Sequence, residues 1–321
     1  MSSFRTEFST RLHKNSISHS AQILTSGSCF ADSIGNRLID NKFHTLINPF
    51  GTTYNPLSIH KLVRMACYNQ VPPPETYLDN EDIHSNYDFH SSLSALNRQE
   101  LEKKLKNVIG STHHFLNQCN FLFITYGTSW VYKRKDNQEI VANCHKRPAS
   151  LFTRSLLNQK VIEDSFNEMY ADLRRINSSI QIILTLSPVR HLKDTIELNS
   201  VSKSVLRTAC HFISENHENV NYFPAYEIMM DDLRDYRFYA ADMIHPSFEA
   251  EEYIWNKFSE SYFSQEARDL MKEWQTVKKM MEHKPFHPAS ASHQKFLKDI
   301  RAKLQALQPK LDVSRELNQY L

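Results

Sequence analysis

Glycine is scarce in this chain, with five residues in 321, where average usage near 7% would give more than about twenty. Each one therefore marks a place where backbone freedom or close approach is needed. Three of them, Gly27, Gly51 and Gly127, follow strand-like segments. Cysteine is also sparse and irregular. Cys29, Cys67, Cys119, Cys144 and Cys210 form an odd, scattered set with no CxxC pair, which excludes a disulfide framework and a structural zinc site and fits a reducing compartment. Charge is nearly balanced, 38 Lys and Arg against 36 Asp and Glu, so composition makes no case for nucleic acid or an acidic membrane surface. No window approaches the ~20 apolar residues a membrane helix needs, and residues 1–16 lack the apolar core of a secretory signal. The expectation is a cytoplasmic protein with no metal, no cofactor and neither nucleic acid nor membrane as partner.

What is present is an alternation of strands and helices. Apolar runs rich in β-branched and aromatic residues stand at 21–26, 43–48, 120–127, 180–187 and 219–225, with helical patterns at 30–41, 57–69, 98–117, 155–176 and 200–216. The third and fourth runs are almost continuously apolar, as central parallel strands covered on both faces should be. This pattern predicts an α/β fold, a three-layer α/β/α sandwich around a central parallel sheet. In such sheets ligands bind beyond the carboxyl ends of the strands, where the glycines fall. Residues 70–97, polar and proline-bearing, read as an inserted loop or cap in a domain spanning 1–263. Residues 264–321 read as C-terminal helices, packing elements or a surface for a homo-oligomer.

Two nucleophiles stand side by side where the first strand turns into the first helix, in "LTSGSCFADSIG", residues 24–35. After the last strand, Asp242 and His245 stand three apart in a loop closed by Pro246, with Ser247 placed to cap the next helix. A carboxylate there can hold the imidazole Nδ1–H and leave Nε2 toward the sheet edge. On its own, an Asp-x-x-His of this kind is more often a surface aspartate beside a helix-capping histidine. Arg190, at the end of the fourth strand, has the fork geometry to grip a carboxylate or phosphate. It serves equally well in a network that braces loops.

A nucleophile after the first strand with Asp-x-x-His after the last resembles the layout of the SGNH (GDSL-like) hydrolases, whose sheet is flavodoxin-like. The resemblance narrows to the GSCFA family, whose motif stands verbatim as Gly27-Ser28-Cys29-Phe30-Ala31. Other stretches similar to that family are "NPFGTTYNP" (48–56), "TYGTSWVY" (125–132), "NCHK" (143–146), "LTLSPVRH" (184–191) and "YEIMMDDLRDYRFYAADMIHPS" (226–247). The resemblance implies a hydrolase-type site with Cys29, or Ser28, as nucleophile and His245 and Asp242 as its partners. Cys29 falls at the position of the SGNH serine. At a helix N-terminus beside an imidazole it is expected to favour the thiolate. For the oxyanion hole the resemblance implies Gly51. The usual Gly-x-Asn of the third block is replaced by Gly127-Thr128-Ser129, leaving Ser129 or Asn143 to substitute for the missing amide. The expected activity is hydrolysis or transfer of an acyl group from an ester or thioester of a small polar, carbohydrate-like molecule. The competing expectation is a non-hydrolytic binding module on the same scaffold.

Overall fold

The computed structural model describes residues 6–80 and 82–320. In chain order the strands and helices are β1 (Gln22–Gly27), α1 (Cys29–Asp40), β2 (His44–Ile47), α2 (Pro56–Cys67), β3 (Tyr77–Asn80), β4 (Ile83–Asn86) and α3 (Arg98–Gln118). Next come β5 (Phe121–Tyr126), β6 (Trp130–Arg134), β7 (Ile140–Val141), β8 (Phe152–Leu156), α4 (Gln159–Ile176), β9 (Gln181–Leu186) and α5 (Ile196–Asn216). The chain finishes with β10 (Val220–Phe223), the short α6 (Ala225–Glu227), α7 (Phe248–Tyr262), α8 (Gln265–Met281), α9 (Ala291–Leu307) and α10 (Ser314–Leu317).

All five strands read from apolar runs form one sheet in the order β10-β9-β5-β1-β2, every neighbour parallel. Successive side chains of a strand point to opposite faces, and the two faces bury different partners. Leu24, Leu122, Ile124, Tyr126, Ile182 and Leu184 pack with residues of α2, α3, α4 and α5. Ile23, Phe121, Phe123, Ile183 and Phe223 pack on the other side with Phe30 and Ile34 of α1 and Ile254 and Phe258 of α7. The result is a three-layer α/β/α fold. From β1 the order runs one way to β2 and the other way to β5, so a switch point, the place where ligands bind in open parallel sheets, lies between β1 and β5.

Gly27 ends β1 at that point, with φ +137, and a Cβ there would stand 2.2 Å from the carbonyl oxygen of Thr125 on β5. Only glycine lets the two strand ends approach so closely. The Gly27 N–H donates to Asn48 Oδ1 at 2.8 Å, and Asn48 Nδ2 donates in turn to Asp32 of α1 at 2.7 Å. One hydrogen-bond chain thus ties the ends of β1 and β2 to the first turn of α1.

Two regions depart from the sequence reading. Residues 70–97, read as an inserted loop or cap, carry an antiparallel pair of strands, β3 with β4, that was not expected. The segment after Gly127, where no strand was expected and a helical pattern was read from residue 155, builds a three-stranded antiparallel sheet, β7-β6-β8. These strands are short and polar on one face, so they lack the continuous apolar signal of the central sheet. At the C-terminus, α8 and α9 bury Leu270, Trp274, Ile300 and Leu304 against one another. Trp274 Nε1 donates to the Asp40 carbonyl at the end of α1 at 2.6 Å, and Lys42 pairs with Glu316 at 2.7 Å. No helix among the described residues is long and apolar enough to cross a membrane.

Candidate active site

A cavity of about 520 Å³ opens at the carboxyl edge of the sheet. Its lining comes from six places in the chain: Ser28 and Cys29 after β1, Tyr54 before α2, Thr128 after β5, Trp130, Tyr132 and Arg154 on β6 and β8, residues 187 and 189–193 after β9, and Ile244 and His245 before α7.

Cys29 is the first residue of α1 and Ser28 is its N-cap, in extended conformation and with no side-chain capping bond. Ser28 is 1% exposed and its Oγ has no hydrogen-bond partner in the protein. Cys29 is only partly covered. Its position leaves its own backbone N–H among the unpaired donors of the first turn. Burial, reinforced by the carboxylates of Asp32 and Glu251, pushes the Cys29 thiol up from its ordinary value, and the Lys203 ammonium pulls the other way. This direction is opposite to the one expected at a helix N-terminus: desolvation and the two nearby carboxylates favour the neutral thiol.

His245 is held on a loop that is itself pinned. Tyr239 bridges to Pro246, Ala240 N–H donates to the His245 carbonyl at 2.8 Å, and Ser247 N–H donates to the Phe238 carbonyl at 2.7 Å. Ser247 caps α7 through Ala250 N–H. Within the loop, Asp242 Oδ1 accepts from the backbone N–H of Ile244 and of His245 at 2.9 and 3.0 Å, and Asp242 Oδ2 takes His245 Nδ1 at 2.6 Å. These bonds, the backbone ones foremost, hold the Asp242 carboxyl down at about 2. It is a fixed acceptor at neutral pH, which places a proton on His245 Nδ1 and leaves Nε2 outside that bond.

The sequence model of the GSCFA family matches residues 22–258, and that of the GSCFA domain protein C-terminal domain matches 274–320. The chain belongs to the GSCFA family. No curated protein matches the sequence. Among solved structures, a Clostridium thermocellum family 3 carbohydrate esterase is similar over 79% of this chain and 98% of its own, at 9% identity and TM-score 0.31. An acetyl xylan esterase from the rumen bacterium Butyrivibrio proteoclasticus is similar over 81% of this chain and 65% of its own, at 11% identity and TM-score 0.31.

In this GSCFA chain the residues named from sequence divide into two groups. Ser28, Cys29, Arg190 and His245 line one cavity, with Asp242 bonded behind the imidazole. The others turn elsewhere. Gly51 N–H is committed to the Asn48 carbonyl at 2.7 Å, and the glycine faces His90 and Ser92. Gly127 N–H donates to the Tyr54 carbonyl at 2.8 Å. Ser129 is fully buried, with both its N–H and its Oγ bonded to Ser202 of α5. Asn143 Oδ1 accepts from His145 N–H on a loop outside the cavity lining.

Two residues of the site were not assigned a role from sequence: Lys203, which carried no motif signal, and His191, which closes the "LTLSPVRH" stretch. Lys203 is 2% exposed, and its ammonium donates to the carbonyls of Gly127 at 2.9 Å and Ser187 at 2.7 Å, bridging the ends of β5 and β9. Burial lowers its pKa to about 7. His191 stands beside Gly127, its Nε2 3.2 Å from where a Cβ on that glycine would be. That Nε2 is buried with no partner in the protein. Burial, with Lys203 and His245 near, lowers its pKa to about 4, so it is neutral in the working range. Among the described residues, no group of three or more His, Cys, Asp or Glu is arranged to hold a metal ion.

Proposed function

We propose that this protein hydrolyses or transfers an acyl group from an ester or thioester of a small polar, carbohydrate-like molecule, through an acyl-enzyme on Cys29. The observation that carries the reading is a thiol at the start of α1 sharing one cavity with an imidazole whose Nδ1 is bound by a carboxylate. In the first step Cys29 Sγ attacks the acyl carbonyl while His245 Nε2 takes the thiol proton. The tetrahedral intermediate then expels the alcohol or thiol, which receives that proton from the imidazolium. In the second step water, deprotonated by His245, attacks the thioester and restores the thiol. An acceptor alcohol in place of water gives transfer.

The developing oxyanion needs donors. Cys29 N–H is one by position. His191 Nε2 supports the second role, because a neutral imidazole protonated there is a buried donor with nothing in the protein to accept from it. It would stand in for the asparagine amide absent at Ser129. Cys29 is preferred to Ser28 because its side chain is the less covered of the two.

A screen of purified protein against p-nitrophenyl esters and thioesters of increasing acyl length tests this directly. Turnover that is highest for the short acyl groups is expected. The engagement of Gly51, Gly127 and Ser129 in structural bonds favours the competing reading, a binding module. No turnover on any chain length, with Cys29 labelled no faster by iodoacetamide than Cys144, would decide for that reading.

A further inference from the structure

Building on the acyl-transfer reading of this cavity, we infer that its substrate carries a negative charge, a carboxylate or phosphate, held by Arg190 and Lys193 beside the reacting acyl group. The cavity lining includes Arg154, Arg190 and Lys193 and, among the described residues, no aspartate or glutamate. In a protein whose net charge is only +2, this is a local excess.

Arg190 and Lys193 make no ion pair among the described residues. Arg190 Nη2 lies 3.0 Å from Met230 Sδ, with the guanidinium over the Tyr239 ring at 5.3 Å. Lys193 lies over the Tyr132 ring at 5.7 Å. The acidic side chains of neighbouring elements are already engaged: Glu227 by Arg207 and Tyr222, Asp231 by Arg234, Asp242 by His245 and, beside Cys29, Asp32 by Asn48 and Thr52 and Glu251 by Ser33 and Arg37. The Arg190 guanidinium thus spends one N–H on a weak sulfur acceptor and rests on an aromatic ring, and a planar carboxylate or a phosphate offers it two stronger bonds at a time.

A second observation points the same way. The wall that carries these cations is also aromatic: Tyr54, Trp130 and Tyr132 line the cavity, and Arg154 stacks on the Trp130 ring at 3.9 Å. The lining thus combines cations with flat aromatic faces, which fits an anionic group on a ring.

The test exploits Cys29 as a reporter whose reading does not require turnover. Iodoacetate and iodoacetamide attack the same thiolate but differ in charge, so their rate ratio cancels the thiolate fraction. The ratio at Cys29, divided by that for N-acetylcysteine, is expected to be about tenfold or more in low salt and to collapse toward one at 1 M salt, where the screening length is ~3 Å. Arg190→Ala with Lys193→Ala should remove the excess. Protection of Cys29 from iodoacetamide by phenyl phosphate and by benzoate, with benzyl alcohol as neutral control, tells phosphate from carboxylate. A ratio equal to that of N-acetylcysteine in the wild type, or one unchanged in the double variant, overturns the inference. If neither reagent reaches Cys29, it is the acyl-enzyme reading that has failed. The inference is then decided by thermal shift: stabilisation by phenyl phosphate or benzoate that the double variant loses supports it, and none overturns it.

Discussion

Cys29→Ala is expected to lower kcat/KM on a turned-over acyl ester by on the order of 10⁴-fold, with His245→Ala costing about 10²–10⁴-fold and the double variant little more than the worse single one. The non-additivity follows from the resting state of the thiol. With burial, Asp32 and Glu251 holding Cys29 in its neutral form, the nucleophile exists only as its proton leaves for His245, so neither residue works without the other. A preformed thiolate would instead attack at nearly full rate without the imidazole. Ser28→Ala should stay within about tenfold of wild type, since its hydroxyl neither caps α1 nor bonds within the protein. Steady-state kinetics of the four variants decide this. Additive losses, or a Ser28→Ala loss as large as that of Cys29→Ala, would count against the assignment.

Lys203→Met is expected to lose stability in a pH-dependent way. The substitution leaves the Gly127 and Ser187 carbonyls without the donor they have now, at about 1–3 kcal/mol for each buried group left unsatisfied. Against this, the wild type must bury an amine that resists charging. Its folded pKa, about 7, lies below the ~10.4 of an unfolded lysine. Between those values the unfolded chain binds the extra proton, so this residue's contribution is fully present above the unfolded pKa and is lost as pH falls toward 7. Wild type should therefore exceed Lys203→Met in Tm by several degrees at pH 9.5 and by much less at pH 7. Thermal melts at the two pH values check it, and a difference that does not change with pH refutes the buried, titrating lysine.

Most of the scaffold could be read because its signals are local. The five central strands are runs of apolar residues whose alternation matches the two packed faces, and Gly27 is legible since so few glycines compete for attention. The antiparallel sheet of β6, β7 and β8 escaped because a strand with one polar face looks like a loop. Cys29, His245 and Asp242 were legible through motif spacing. Gly51, Ser129 and Asn143 matched a pattern of positions, but their polar atoms bond to Asn48, Ser202 and His145, choices made by tertiary neighbours that spacing does not encode. Lys203 did leave a trace. It falls on the buried stripe Asn199, Ser202, Lys203, Leu206, Ala209, Cys210 and Ile213 of α5, and a lysine at core spacing is a buried charge needing an explanation. His191 was visible as the end of "LTLSPVRH", but its role was not, since that depends on which way one ring nitrogen faces.

The covalent intermediate is the centre of this account, and mass mapping of an acid-quenched reaction reaches it most directly. Protein turning over p-nitrophenyl acetate is quenched and digested, and the peptide spanning residues 28–30 is fragmented before and after treatment with neutral hydroxylamine, which cleaves thioesters and spares oxygen esters. One acetyl group on Cys29, removed by hydroxylamine, is the predicted result. Acetyl on Ser28 that survives the treatment, or turnover with no acetyl on either residue, would contradict it.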